Sequence, residues 1–536
     1  MLVRGLAPVV SCALVLGFLM ADSRVACCAT IVIAVDNGEG PANGDPTPTF
    51  SSPVLNEAGQ AAFSGFRVGG YFSPVLAGGV YVGDGINPLQ ELVKTGDPGI
   101  TPDSLASSFV VRAINDSGVV AYEQRDVATD NSPLANSTSA VLNNGYTAPT
   151  IVVHEGDSAP GGDRVDFIRI NDLDANGRLG LSLRLVDGSG PESAVLFDST
   201  TGLATLATVG QPAPDGEGVV GGAFYPALND AGQTLYTPRI ARAGLPERPA
   251  IFRDTPGVGR ELLFRSGDPT TSPNVDGSLL LELYNPSMNA HGRVAFYGSV
   301  ADASTPAGNG LGLFVVDTPN GATAVVREGE TVPGGDTFAG FGRPSLNDEG
   351  DLAFYALLTD DPNAELDREN VGLYRYDTSG LVEIVREGQL APSGDGTIDL
   401  PRFLPISSSA PNMSIRPMFN DAGEVAFLAD LNDTASGNED AAIYYFNEVD
   451  GLQEVVRTGT PLLGSIITDL GLQQNISNSG YEEDGFNNAG QIAYRFSLAD
   501  GRHGVALWST NSIPEPTSVA LVSMAALLVA CYRRFA

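Results

Sequence analysis

Asn420-Asp421-Ala422-Gly423-Glu424-Val425-Ala426-Phe427 is one of eight versions of a single pattern, and that pattern decides the fold. An asparagine at the first place of a tight turn bonds its side chain to the backbone two residues on. A glycine at the fourth place takes the left-handed conformation without cost. The residues that follow, Glu424 to Leu428, alternate as a strand does. Each copy therefore reads as the turn and outgoing strand of a β-hairpin. The other seven copies pair Asn56 with Gly59, Asn115 with Gly118, Asp174 with Gly177, Asn229 with Gly232, Asn289 with Gly292, Asn347 with Gly350 and Asn487 with Gly490. The steps between first residues are 59, 59, 55, 60, 58, 73 and 67. Asp174, the one departure at the first place, keeps the side-chain acceptor.

A second pattern, Val-Val-Arg-Glu-Gly-x-x-x-Pro-Gly-Gly, precedes each turn. It is clearest from Val325 to Gly335, from Ile384 to Gly394 and from Val152 to Gly162, and weaker around Gly96, Gly210, Gly267 and Gly459. A further strand ending in a turn stands before it, as in Gly372 to Tyr376 followed by Asp377-Thr-Ser-Gly380. Each unit of about 60 residues thus holds four short strands: a before the Asp-Thr-Gly turn, b before Glu-Gly, c before the asparagine and d after it. No helical period of useful length appears. Four-stranded units repeated radially make a β-propeller, so the chain is expected to be all-β with eight four-stranded blades. The array begins at a b strand, Ile31 to Val35, and ends with a surplus a strand, His503 to Trp508. Pairing these two would close the ring and leave no free edge. An open solenoid or two smaller propellers are the alternatives. The two long steps are expected to hold loop insertions near Asp360–Glu369 and Pro401–Asn412.

Both ends read as processing segments. Residues 1–29 have Arg4 before the apolar run Val9 to Met20 and small residues from Ala26 to Ala29, the form of an export signal. Cys27 and Cys28 raise lipidation, but Arg24 or Val25 stands where a lipobox wants leucine. At the other end Ile513-Pro514-Glu515-Pro516 precedes an apolar run, Val519 to Cys531, and the basic pair Arg533-Arg534. That run is short for a lasting membrane span, which takes about 20 residues. This order over residues 512–536 resembles the PEP-CTERM sorting signal. The resemblance implies that an exosortase recognises Pro514, Glu515, Pro516, Arg533 and Arg534, cuts the tail and replaces it with an anchor. The expected product is residues 30–511, exported to the cell surface or beyond and touching a membrane only through its terminal segments before processing.

All four cysteines, Cys12, Cys27, Cys28 and Cys531, lie in those segments. The remaining roughly 480 residues must be stabilised by a buried core, without disulfides or thiolate metal sites. With 29 basic against 64 acidic residues the net charge is −35, which repels nucleic acid and anionic membranes. An acidic exterior suits a secreted protein, and it also suits binding of divalent cations.

The array as a whole resembles a family of exported bacterial proteins with tandem Asn-x-x-Gly-x-x-Ala-Phe repeats. That resemblance implies a propeller-like surface protein and transfers no catalytic residue. Asp172-Leu-Asp174-Ala-Asn176-Gly177 has the opening spacing of a calcium loop, but Leu183 stands where the closing acid belongs, and the segment is in register with the other turns. The sequence favours a structural turn and leaves calcium as the alternative; it implies no other cofactor. The three histidines, His154, His291 and His503, occupy non-equivalent positions without metal spacing. Arg327-Glu328, Arg386-Glu387 and Arg457-Thr458 recur with the period of the repeat, which favours a structural role. The glycine pairs lack the Lys-Ser/Thr of a phosphate loop, and no Gly-x-Ser-x-Gly elbow precedes a helix. Two functions follow. The first is a non-catalytic surface or matrix protein that binds a ligand, such as exopolysaccharide, on its propeller face. The second is a propeller hydrolase or lyase that uses acidic residues near the central channel.

Overall fold

A computed structural model describes residues 29–35, 50–65, 78–130, 132–185, 192–222, 226–267, 274–275, 278–301, 310–319, 321–359, 370–401, 416–437, 440–472 and 484–510. The chain divides into Ile31–Trp508, which carries the repeats, and a second unit made of Met1–Thr30 and Ser509–Ala536. The described residues of the repeat unit form eight antiparallel sheets and contain no helix. This is an eight-bladed β-propeller. The second blade shows the plan: Ser104–Ile114, Val120–Ala128, Pro133–Asn143 and Thr150–His154 pair in chain order. These are strands c, d, a and b of the repeat. The fourth blade varies it. Pro238 interrupts strand d, which runs as Thr234–Tyr236 and then Arg239–Ala241, because proline has no N–H for the ladder.

The repeated Val-Ala-Phe places alternate residues on opposite faces of a blade. The alanine packs on the following blade and the aromatic on the preceding one: Ala353 lies in one cluster with Phe427 and Tyr444, while Phe354 lies with Tyr297 and Leu313. The aromatic also has an aromatic directly opposite it on strand a in five blades. These pairs are Phe63–Tyr81, Tyr236–Phe252, Phe296–Phe314, Phe354–Tyr374 and Phe427–Tyr444, all stacked at 5.3–5.9 Å. Such pairs add stability beyond the area they bury, about 0.5–1.5 kcal/mol each. The core is thus a series of inter-blade layers rather than one central mass.

The Arg-Glu-Gly segments tie blades together at the end away from the asparagine turns. Gly329 and Gly388, both at positive φ, donate their N–H groups to Phe338 and Ile398 on the next blade's first strand. Arg386 donates to Asp336 at 2.5 Å and to the Pro333 carbonyl at 3.1 Å. Arg457 likewise reaches Ser393 and the Asp395 carbonyl, both at 3.2 Å, so at these two positions the recurring arginine joins blades.

The ends close as the strand count requires. Ala29–Val35 is the fourth strand of the eighth blade and pairs with His503–Ser509. The two expected loop insertions fall almost entirely outside the described residues, and so do the sorting-motif residues Pro514, Glu515, Pro516, Arg533 and Arg534.

Candidate functional site

The eight turns at the c–d corners form a ring. In each, the first residue's side-chain oxygen accepts the N–H four residues on, for example Gln60 to Asn56 at 2.8 Å and Glu424 to Asn420 at 2.9 Å. The bond to the residue two on, expected from the sequence, accompanies it in some turns, as in Ser117 to Asn115 at 3.1 Å. All eight fourth-place glycines, Gly59, Gly118, Gly177, Gly232, Gly292, Gly350, Gly423 and Gly490, have φ between 70° and 87°.

The asparagine amide has a second task that the sequence reading missed. Asn56 Nδ2 donates to the main-chain carbonyl of Asn115 at 2.9 Å, and Asn115 to that of Asp174 at 3.0 Å. Asn229, Asn289, Asn347 and Asn420 do the same to the next turn, at 2.9–3.2 Å. Asn487 returns to Asn56 at 3.0 Å. These residues are buried, so each link satisfies groups that would otherwise be costly.

The second turn residue builds a collar around this ring. Asp116 Oδ1 accepts the Glu57 N–H at 2.9 Å. Asp230 accepts from Ala175 at 2.8 Å, Asp348 from Ala290 at 2.7 Å and Asp421 from Asp348 at 2.8 Å. Glu57 accepts from Asn488 at 3.0 Å. Five carboxylates from five blades thus encircle one opening. Burial raises the Glu57 carboxyl above its ordinary range; the Asn488 N–H opposes this, and Asp116, Asp421 and Asp348 push it further up. Burial likewise raises Asp348, with Asp421 and Asp230 adding to it.

Glu57, Asp116, Asp230 and Asp348 line a cavity of about 240 Å³, together with two buried acids, Asp172 and Asp484. Burial pushes both of these up to about 7. Asp172 accepts the N–H groups of Leu173 at 2.8 Å and Leu228 at 2.6 Å. Asp484 accepts that of Phe486 at 2.9 Å and lies 3.8 Å from Arg416.

The calcium-type segment is used by the fold. Asp174 accepts the N–H groups of Asn176 and Arg178 and the Nε of Arg178 at 2.6 Å. Asp172 and Asp174 thus both spend their oxygens on protein donors. Among the described residues no three His, Cys, Asp or Glu side chains come together as a metal site. The collar carboxylates surround the opening instead of converging on a point, an arrangement suited to a hydrated or bulky cation. Two of the histidines lie elsewhere, His154 and His503 bonding Ser139 and Ser497 through Nδ1 at 2.7 and 2.8 Å, whereas His291 is the third residue of its ring turn and opposes the rise of the Asp348 carboxyl.

Residues 55–520 match the model of a family of unknown function, DUF7453. No curated protein matches the chain. Among solved structures, the β-propeller domain of the Trilobed protease from Pyrococcus furiosus is 11% identical with a TM-score of 0.40, covering 76% of this chain and 98% of that one. Polysaccharide lyase Uly1 is 9% identical with a TM-score of 0.38, covering 78% and 92%. The fucose-specific lectin from Aleuria aurantia is 13% identical with a TM-score of 0.27, covering 67% and 98%.

Proposed function

The chain belongs to the DUF7453 family, and we propose that it is a non-catalytic exported protein of the cell surface or extracellular matrix whose collared cavity binds a cation-bearing ligand, such as an exopolysaccharide with protonated amino groups. The observation that carries this reading is the collar. One oxygen each of Asp116, Asp230 and Asp348 is held by a backbone N–H of the preceding blade, which fixes the carboxylate at the cavity and leaves its second oxygen to a ligand. A ring of like charge in a partly desolvated opening concentrates counter-ions and repels anions. Export and tail removal by an exosortase rest on the order of Pro514-Glu515-Pro516, the apolar run and Arg533-Arg534.

A glycan array probed with residues 30–511, with and without calcium, tests the binding. The reading expects cationic glycans to be retained and the Asp116→Asn/Asp348→Asn variant to lose them. Retention unchanged in that variant would refute the site. Mass spectrometry of the surface-exposed protein tests the processing; an intact peptide containing Arg533-Arg534 would contradict it.

One observation favours a second reading, a hydrolase or lyase. Asp172 and Asp484 share the cavity, and both are pushed up to about 7, the range of a general acid at neutral pH. Turnover of a polysaccharide that Asp484→Asn abolishes without unfolding would support it over simple binding.

A further inference from the structure

The third blade breaks the ring's rule. Seven turns send a side-chain amide to the next blade, whereas Asp174 has no donor to send. Its carboxylate is taken by Arg178 Nε, and the buried Arg178 Nη2 finds no acceptor among the described residues. At the turn ring the junction to the fourth blade relies on two bonds to carboxylates, Leu228 N–H to Asp172 at 2.6 Å and Ala175 N–H to Asp230 at 2.8 Å, while at the far end Gly210 N–H reaches the Val220 carbonyl at 2.7 Å as its counterparts do at other junctions.

The junction between the fifth and sixth blades is a natural control. Its turn, Asn289-Ala290-His291-Gly292-Arg293, differs from Asp174-Ala175-Asn176-Gly177-Arg178 at the first and third places only. Ala290 N–H reaches Asp348 at 2.7 Å, just as Ala175 reaches Asp230, but Asn289 Nδ2 adds its link to the Asn347 carbonyl at 2.9 Å. The third junction lacks that amide link. Its substitute acceptor, Asp172, is a buried acid, and the cost of burying its carboxylate offsets part of what the bond contributes. The closing junction has no such defect, since Asn487 reaches Asn56.

We propose that the junction between the third and fourth blades is the seam of the propeller, where the closed ring opens first and admits ligand to the cavity. The cavity has Asp172, Leu173 and Ala175 on one side of this junction and Leu228, Asn229 and Asp230 on the other. Parting the two blades therefore widens it directly. Local opening of this kind is read by amide exchange, because an N–H exchanges only when its bond is broken. The seam depends on the ring alone and stands whatever the cavity binds.

Hydrogen exchange with residue-level mass spectrometry on the intact chain tests the seam. After correction for intrinsic rates, the Ala175 amide is expected to exchange about tenfold faster than the Ala290 amide or more, a difference of the size one lost buried bond produces. Asp174→Asn should bring the two rates together. Should that variant fail to fold, Asn289→Asp copies the third-blade turn into the fifth blade and should speed Ala290 by a similar factor. Equal protection of Ala175 and Ala290 in the unaltered protein, or no response to either substitution, would overturn the proposal.

Discussion

The side-chain amide of Asn487 donates to the main-chain carbonyl of Asn56, 3.0 Å away and 431 positions earlier in the chain. It is the same bond that joins neighbouring blades elsewhere in the ring, so the chemistry of the repeat, and not a special device, closes the circle at this point. Asn487→Asp keeps the turn acceptor and removes only the donor. It is expected to lower unfolding stability by about 1–3 kcal/mol, the cost of stranding a buried partner. Unchanged denaturant midpoints would show that the ring link is idle.

Two of the fourth-place glycines, Gly350 and Gly423, combine a positive φ with a close neighbour. At Gly350 φ is 87°, and an added Cβ would come within 2.5 Å of Arg293 Nη1 from the preceding blade; at Gly423 φ is 76°, with Arg375 Nη1 at 3.1 Å. Because both contacts are with ends of flexible side chains, backbone strain dominates. Gly350→Val and Gly423→Val should each destabilise by about 1–3 kcal/mol in thermal or denaturant unfolding. Two unaltered melting temperatures would contradict the turn geometry.

Stability should rise on mild acidification. Burial raises Asp172 and Asp484 from 3.8 to about 7, so the folded chain holds protons that the unfolded chain releases. Their unfavourable contribution is fully present above about pH 7 and fades as the pH falls from about 7 towards 4. Below pH 4 the sign reverses through acids whose carboxyls the fold lowers, such as Asp440, where burial is outweighed by bonds from Ser436, Thr434 and Thr458. A melting temperature that falls between pH 8 and pH 5, or an Asp172→Asn/Asp484→Asn variant with an unaltered profile, would count against this assignment.

The closing strand should be indispensable although it is terminal. Trp508 is buried and packs against Tyr445 of the seventh blade at 5.2 Å. Joining distant ends costs entropy that grows only logarithmically with loop length, while an uncovered edge invites association. Deletion of residues 501–511 is expected to lower the melting temperature and produce oligomers on size-exclusion chromatography. A truncated monomer of the same stability would exclude the pairing.

Much of this was legible because the repeat writes the same local rule eight times. Asparagine at the first turn place and glycine at the fourth gave the hairpin, and the strand count gave the closure. What the sequence hid is what happens between repeats. The amide of Asn56 has an obvious acceptor only when the Asn115 turn is placed beside it. The acids at the second place, Glu57, Asp116, Asp230, Asp348 and Asp421, are visible as a pattern in five of the eight copies. They look like ordinary solvated turn residues until curvature brings them round one opening. Asp172 drew notice for a calcium-type spacing, and its bond to Leu228 of the next blade is visible only in the fold. Asp484 carries no repeat signal at all.

Closure of the ring is the central claim, and a distance between its first and last turns tests it most directly. Residues 30–511 contain no cysteine, so spin labels can be placed cleanly at Ala58→Cys and Ala489→Cys, both exposed third-place turn residues. The reference pair is Ala58→Cys with Ser117→Cys, on adjacent blades. Pulsed electron spin resonance should return the same short, narrow distance for both pairs. A first-to-last distance far longer than the adjacent-blade distance would mean an open array and contradict the eight-bladed closed propeller.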